Sequence, residues 1–102
     1  NQRTLGKYYN LHLMLMEHWL KIFKNEIYVL DHEKLINNQE KYTREILKYC
    51  ELNWEPACLK FYKTKREVLT ASNEQVREPI NKKSVSAWKK YDKILEPLKK
   101  SL

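Results

Sequence analysis

The sequence predicts a mostly helical chain of about four helices and one short strand. The chain contains a single Gly and three Pro in 102 residues, fewer than the tight turns of a β-rich fold require. Apolar residues follow the helical period in several separate stretches. The length fits one small domain with a modest core, and we expect residues 1–102 to form a single, partial domain.

The first helix is predicted over residues 4–24. Its apolar and aromatic residues form a broad stripe, which predicts core packing on two sides of the helix. The members of the stripe are Leu5, Tyr8, Tyr9, Leu13, Leu15, Met16, Trp19, Leu20, Ile22 and Phe23.

Residues 26–31 are the strand candidate. Their centre, residues 27–30, is a short apolar run rich in residues that favour strands. Because a lone strand cannot form a sheet, we expect either a piece of a longer protein or pairing between copies of the chain.

Two more helices are predicted in the middle of the chain. The helix over residues 39–51 begins after Asn38, a favourable N-cap residue. A short helix over residues 56–62 begins with Pro56, since proline is tolerated in a first helical turn.

A polar loop and a final helix complete the predicted elements. The loop covers residues 63–83 and has no clear period, and ordered loops of this length are often functional. The final helix covers residues 84–95, with Ser84 as its N-cap and Pro97 as its stop.

The basic residues are unevenly distributed along the chain. The net charge is +7, and residues 60–102, with 12 basic and 5 acidic side chains, contain all of the excess. Such a surface attracts phosphate, sulfate, nucleic acid or acidic lipid, or it is solvated without a partner. Nucleic acid is disfavoured as a partner, since the aromatic side chains fall mostly on inner helical faces. No apolar run is long enough to span a bilayer.

The cysteine and histidine residues match no metal-binding pattern. Cys50 and Cys58 lie eight residues apart, and the three histidines are not spaced to complete a site. We therefore expect no metal, and reduced, mostly buried thiols in a cytoplasmic protein.

The order of residues in the loop and the final helix resembles a family motif. Residues 69–81 read LTASNEQVREPIN and residues 84–91 read SVSAWKKY. This resembles the closing motif of bacterial sulfotransferases, T-A-S-x-x-Q-V-R-x-P-I followed by S-V-x-x-W-x-x-Y. These enzymes are often fused to tetratricopeptide repeats and are related to tyrosylprotein sulfotransferases. Residues 7–19, 32–35 and 52–61 are similar to further family segments in the same order.

The resemblance implies that the chain is the C-terminal half of an α/β sulfotransferase fold related to P-loop kinases. In the family, the loop that holds the 5′-phosphosulfate, the upstream Arg and Ser that bind the 3′-phosphate, and the catalytic carboxylate all precede this region. Gly6 is the only glycine, so a glycine-rich cradle of that kind is not expected here. We assign no catalytic residue and expect the chain to be inactive alone.

The resemblance also implies a binding site for the sulfate donor, 3′-phosphoadenosine-5′-phosphosulfate, which is a co-substrate. In the family, the segment that corresponds to residues 72–81 wraps the 3′-phosphoadenosine end of the donor. The candidate binding residues are Ser72, Gln75, Arg77, Asn81, His32 and Ser84.

Several of these positions carry alternatives. Arg77 either holds the 3′-phosphate or braces the loop. His32 stands where the family has a Tyr near the nucleotide, and it either contacts the nucleotide or is a satisfied loop histidine. Ala87 replaces a basic residue of the family pattern, and Lys82 or Lys83 is placed to compensate.

Two functional classes remain after nucleic acid is set aside. In the first, the chain supplies the adenosine and 3′-phosphate side of the donor site, and its partner is the N-terminal half of the sulfotransferase domain or a second copy. In the second, it is a non-catalytic helical oligomerisation or binding module derived from that family, whose apolar faces another chain covers.

Overall fold

The computed structural model describes all 102 residues, and the chain divides into two compact units. One unit contains residues 1–27 and 86–102, and the other contains residues 28–85. The α-helices are α1 (Gln2–Ile22), α2 (His32–Asn37), α3 (Gln39–Tyr49) and α4 (Glu96–Lys99). Three segments are 3₁₀-helical, namely Pro56–Lys63, Gln75–Arg77 and Ala87–Tyr91. The mostly helical fold class is confirmed, and the single partial domain stays a prediction.

Helix α1 confirms the first predicted helix. It begins after Asn1, whose side-chain Oδ1 accepts a hydrogen bond from the backbone N–H of Thr4 at 2.9 Å. It ends at Ile22, two residues before the predicted end. None of the helices combines the length and apolarity that crossing a membrane requires.

The C-terminal segment packs on the first turns of α1 through polar contacts. Gln2 Nε2 donates to the carbonyl of Ile94 at 2.9 Å, and Gln2 Oε1 accepts from the backbone N–H of Leu98 at 3.3 Å. Two helical turns further on, Asn10 Nδ2 donates to the carbonyl of Ser101 at 3.0 Å. These contacts place the polar side of α1, which carries Gln2 and Asn10, against α4 and the residues around it.

Gly6 lies between Gln2 and Asn10 on this polar side of α1 and is buried. A Cβ atom at Gly6 would overlap Ser101 Oγ and stand 2.8 Å from Ser101 Cβ. The close approach of the two segments therefore requires glycine at this position.

The prediction that the apolar stripe of α1 packs in a core on two sides is wrong for this chain. Most of its large side chains are exposed, including Leu5 at 55%, Tyr8 at 72% and Leu15 at 53%. The reason is that the C-terminal segment contacts the polar side of α1, which carries Gln2 and Asn10, and leaves the apolar stripe uncovered. Ile36, in the other unit, is the buried hydrophobic residue of the chain.

The predicted strand over residues 26–31 is also wrong. Residues 27–31 form neither helix nor strand, because the chain offers no second strand to pair with their backbone. Tyr28 instead packs on α3, with its ring centroid 5.2 Å from that of Tyr49 and its hydroxyl donating to Glu45 Oε2 at 3.1 Å. Desolvation, followed by the hydrogen bond and charge of Glu45, raises the pKa of the Tyr28 phenol.

Helix α2 was not predicted. Asp31 caps it, because its Oδ1 accepts from the backbone N–H groups of Glu33 at 2.9 Å and Lys34 at 3.2 Å. An Asp directly before a helix-forming stretch is a helix start signal. The start of α2 could therefore have been predicted from Asp31. The helix is short, and it contributes the buried Ile36.

Helix α3 confirms the second predicted helix and its N-cap. Asn38 Oδ1 accepts from the backbone N–H of Lys41 at 3.3 Å. The helix ends in a Schellman motif, in which the N–H of Leu52 reaches the carbonyl of Leu47 at 2.8 Å. Glu51, in the position that usually holds glycine, has a left-handed φ of 57°.

The short helix predicted over residues 56–62 forms as the 3₁₀ segment Pro56–Lys63, with Pro56 in its first turn as expected. Lys60 interrupts it with a non-helical φ of −115°. The break separates two short helical turns, so the segment is less regular than the single short helix that was predicted.

The single final helix predicted over residues 84–95 is wrong, and so are its two boundary signals. Ser84 lies in a turn, and Ser86 has a left-handed φ of 56°, which interrupts a right-handed helix. A 3₁₀ segment, Ala87–Tyr91, follows, and α4 begins only at Glu96. Pro97 lies in the first turn of α4, where its missing N–H is tolerated, so it does not end a helix.

The expectation of mostly buried thiols is wrong as well. Both cysteines are free, Cys50 is exposed and Cys58 is half-buried. Cys50 is the C-cap residue of α3.

Candidate functional site

The unit formed by residues 28–85 contains a cavity of about 410 Å³. Its wall combines apolar side chains with amide, hydroxyl, imidazole and two charged groups. The lining residues are His32, Ile36, Phe61, Gln75, Glu78, Pro79, Ile80, Asn81, Lys83 and Ser84.

Four of the six predicted binding residues line this cavity. They come from two distant parts of the chain: His32 from the start of α2, and Gln75, Asn81 and Ser84 from the loop and the turn after it. The other two predicted residues, Ser72 and Arg77, are absent from the wall.

Local hydrogen bonds position the loop side of the cavity. Gln75 begins a 3₁₀ turn in which the N–H of Glu78 bonds to the carbonyl of Gln75 at 3.2 Å. Asn81 Oδ1 accepts from the backbone N–H of Lys83 at 3.0 Å and so forms an Asx-type turn. The side chains of Gln75 and Ser84 make no hydrogen bond within the chain, which leaves their polar groups available to a ligand.

The guanidinium of Arg77 is engaged with the backbone of its own loop. Its Nη1 donates to the carbonyl of Thr64 and its Nη2 donates to the carbonyl of Arg66. A guanidinium presents its donors in a rigid fork, and here the fork ties the start of the loop to its middle. Of the two roles considered for Arg77, the observed contacts are those of a brace.

Ser72 also stands apart from the cavity. Its side chain is exposed, and its backbone carbonyl accepts from the N–H of Val76 at 3.0 Å. The observed role of Ser72 is therefore to start the turn that leads to Gln75.

Several residues of the wall were not predicted from the sequence. Phe61 and Ile36 supply an apolar surface, and Glu78 places a carboxylate in the cavity. Phe61 is fixed by the 3₁₀ segment that Pro56 begins, but no sequence signal shows which way its ring faces. Lys83 was predicted only as one of two lysines that could compensate for Ala87, which stands where the family pattern has a basic residue.

The wall combines apolar surface with several hydrogen-bonding groups. Ligand cavities commonly have volumes of roughly 300–1,000 Å³ and combine an apolar lining with a few polar groups. The amide side chains of the wall can both donate and accept hydrogen bonds. No group of three or more His, Cys, Asp or Glu side chains lies together in the manner of a metal site.

Comparison with known proteins identifies the class to which the chain belongs. Residues 1–56 match the sulfotransferase family, and the chain is a member of that family. The matched region includes α1, α2, α3 and His32, whereas Gln75, Asn81 and Ser84 lie beyond it.

One relative extends the similarity over nearly the whole chain. It is an uncharacterized protein of Aquifex aeolicus (strain VF5), 47% identical over 96 residues. The match covers 94% of this chain and 13% of the relative, so the chain spans a small part of that protein's length. No solved structure matches the chain.

Proposed function

We propose that this chain forms the adenosine and 3′-phosphate side of a 3′-phosphoadenosine-5′-phosphosulfate site. The complete enzyme transfers a sulfuryl group from this donor to a hydroxyl acceptor. The chain itself contributes no catalytic residue and binds and orients the nucleotide end of the donor. The kinship with bacterial repeat-associated and tyrosylprotein sulfotransferases, and a cytoplasmic location, belong to the same proposal.

One observation carries the proposal: the cavity brings together His32 with Gln75, Asn81 and Ser84, which are more than 40 positions away along the chain. The order of residues in the sequence predicts all four as binding residues without reference to the fold. Their meeting at one cavity supports a shared ligand.

The residues of the wall fit an adenosine group. Phe61, Ile36 and Ile80 offer apolar surface to the faces of a base, and aromatic side chains commonly stack on nucleobases. Gln75 and Asn81 offer amides to its edge, and Ser84 offers a hydroxyl. The donor supplies the sulfuryl group that is transferred, and the groups that activate it belong to other parts of the enzyme.

The partner in this proposal is the remainder of the sulfotransferase domain, or a second copy of the chain. The exposed stripe on α1 supports a partner, because it carries large apolar side chains such as Tyr8 at 72% and Leu15 at 53% exposure.

The same exposed stripe favours a second candidate function, a non-catalytic oligomerisation or binding module. This candidate predicts self-association without nucleotide binding. Analytical ultracentrifugation with and without the nucleotide separates the two, because only the first candidate predicts a ligand.

Calorimetric titration of the chain with adenosine 3′,5′-bisphosphate, with inorganic phosphate as the reference ligand, tests the proposal. We expect saturable binding of the bisphosphate that phosphate does not match. Ser84→Ala is expected to weaken binding about fivefold, as the loss of one hydrogen bond of about 1 kcal/mol requires. Ser72→Ala is the matched control, because it makes the same chemical change outside the cavity.

Two outcomes contradict the proposal. One is a bisphosphate affinity no greater than that for phosphate in a chain whose circular dichroism shows it to be folded. The other is a loss of affinity in Ser72→Ala that equals the loss in Ser84→Ala.

A further inference from the structure

An exposed patch that combines apolar and basic side chains lies in the unit that contains α1 and the C-terminal segment. Residues 88–94, which read WKKYDKI, are all exposed. Three of their side chains are large and apolar, namely Trp88 at 51%, Tyr91 at 57% and Ile94 at 67% exposure. The expectation that aromatic side chains fall on inner helical faces therefore does not hold for Trp88 and Tyr91.

The local backbone brings the three apolar side chains together. Trp88 and Tyr91 both belong to the 3₁₀ segment Ala87–Tyr91, and residues three apart in a 3₁₀-helix lie on the same side. Tyr91 and Ile94, again three apart, line one surface depression of about 440 Å³. The three side chains therefore belong to neighbouring parts of one surface.

The same patch is strongly positive. Lys89, Lys90 and Lys93 line the depression, and none of them forms an ion pair within the chain. The carboxylate of Asp92, which also lines the depression, accepts a hydrogen bond from Lys99 Nζ at 2.5 Å. The three ammonium groups of the patch are therefore left without a counter-charge from the chain.

We propose that the patch formed by residues 88–94 docks on a membrane surface that contains anionic lipids. Its lysines lie at the lipid headgroups, and its apolar side chains enter the boundary between headgroups and acyl chains. Lysines beside exposed aromatic and aliphatic side chains are the composition of segments that lie in such an interface. This inference is independent of the donor site, because no residue of the patch lines the cavity in the other unit.

The apolar side chains favour a lipid surface over nucleic acid as the occupant. Ile94 is the most exposed of the three and has no ring on which a base could stack, whereas an aliphatic side chain gains free energy when lipid removes it from water. Lys99 Nζ lies over one face of the Trp88 ring, 5.7 Å from its centroid, and so competes with a base for that face. Tryptophan and tyrosine are enriched where a membrane meets water, because their rings have an apolar body and a polar group.

Co-sedimentation of the chain with lipid vesicles tests the basic part of the patch. We expect saturable binding to vesicles of an equimolar mixture of phosphatidylcholine and phosphatidylserine, and binding at least about tenfold weaker to phosphatidylcholine alone. Each lysine near an anionic surface contributes about fivefold to affinity, so the triple variant Lys89→Ala, Lys90→Ala and Lys93→Ala is expected to lose about a hundredfold.

A second triple variant is the matched control for charge. Lys60→Ala, Lys63→Ala and Lys65→Ala make the same change on exposed residues of the other unit. This variant is expected to stay within about threefold of the parent chain at physiological salt, because its lysines lie outside the patch and salt screens their attraction to the lipid.

Ile94→Ser tests the apolar part of the patch with the same vesicles. It is expected to weaken binding by about fivefold, the effect of losing part of the burial of one aliphatic side chain. Leu69→Ser is the matched control, since Leu69 is 93% exposed and lies in the other unit, and it is expected to leave binding unchanged. Circular dichroism of each variant confirms that it is folded.

Three outcomes contradict the inference. The first is a folded chain that does not bind the mixed vesicles, or that binds phosphatidylcholine alone as tightly. The second is an equal loss of affinity in the two triple variants, which would assign the attraction to total charge. The third is tighter binding of a single-stranded oligonucleotide through Lys89, Lys90 and Lys93, which would assign the patch to nucleic acid. None of these outcomes bears on the adenosine site.

Discussion

Glu51 shows how one residue can adopt a conformation that its side chain disfavours. Its φ of 57° lies in the left-handed region, where residues other than glycine cost of order 1–2 kcal/mol. The hydrogen bond from Leu52 to the carbonyl of Leu47 closes the end of α3 and holds this conformation. Nothing in the sequence marks the position, since glycine and asparagine are the usual signals.

Replacing Glu51 with glycine is expected to stabilise the chain. Because Gly adopts the left-handed region without steric conflict, Glu51→Gly should raise the free energy of unfolding by about 0.5–1 kcal/mol. Glu55→Gly is the matched control: Glu55 has an extended φ of −133°, so glycine there only adds disorder to the unfolded chain. Urea unfolding should show opposite signs for the two variants, and equal destabilisation would contradict the cap geometry.

The proposed binding residues show what residue order predicts at this scale. The sequence predicted the residue types that reach the cavity from the loop, namely Gln75, Asn81 and Ser84. It left the role of Arg77 open, because guanidinium groups bind phosphates and backbone carbonyls with the same donors. Only the folded loop shows that Thr64 and Arg66 present their carbonyls to it.

At the scale of elements, the contact between α1 and the C-terminal segment depends on Gly6. An exposed helical glycine is normally replaced by alanine with a gain of about 1 kcal/mol. At Gly6 the added methyl group meets Ser101. Gly6→Ala is therefore expected to destabilise the chain by about 1–3 kcal/mol, the usual cost of overpacking.

Thermal and urea unfolding of Gly6→Ala measure this effect. Adding Ser101→Gly to Gly6→Ala removes the side chain that the new methyl group meets, and should recover part of the lost stability. A Gly6→Ala variant that is as stable as the parent chain would show that the two segments do not pack as described.

The elements themselves were predictable to different degrees. Helices α1 and α3 follow from apolar periodicity and from the cap at Asn38. The strand failed because a run of β-forming residues needs a neighbouring strand to satisfy its backbone. The final helix failed because the left-handed backbone at Ser86 is a property of the turn, and serine gives no sign of it.

At the scale of the whole molecule, the chain has little hydrophobic core. Ile36 is the buried hydrophobic residue, and large side chains along α1 are exposed. The sequence predicted the apolar stripe of α1, but periodicity does not show whether the chain itself covers such a stripe.

The central claim is that residues from α2 and from the loop form one adenosine site, and NMR chemical-shift mapping tests it most directly. A ¹⁵N-labelled chain would be titrated with adenosine 3′,5′-bisphosphate while its backbone amides are followed. We predict saturable shifts that are largest at His32, Gln75, Asn81 and Ser84, with small effects along the lysine-rich residues 89–100. Shifts confined to residues 89–100, or shifts at the loop without any at His32, would contradict the claim.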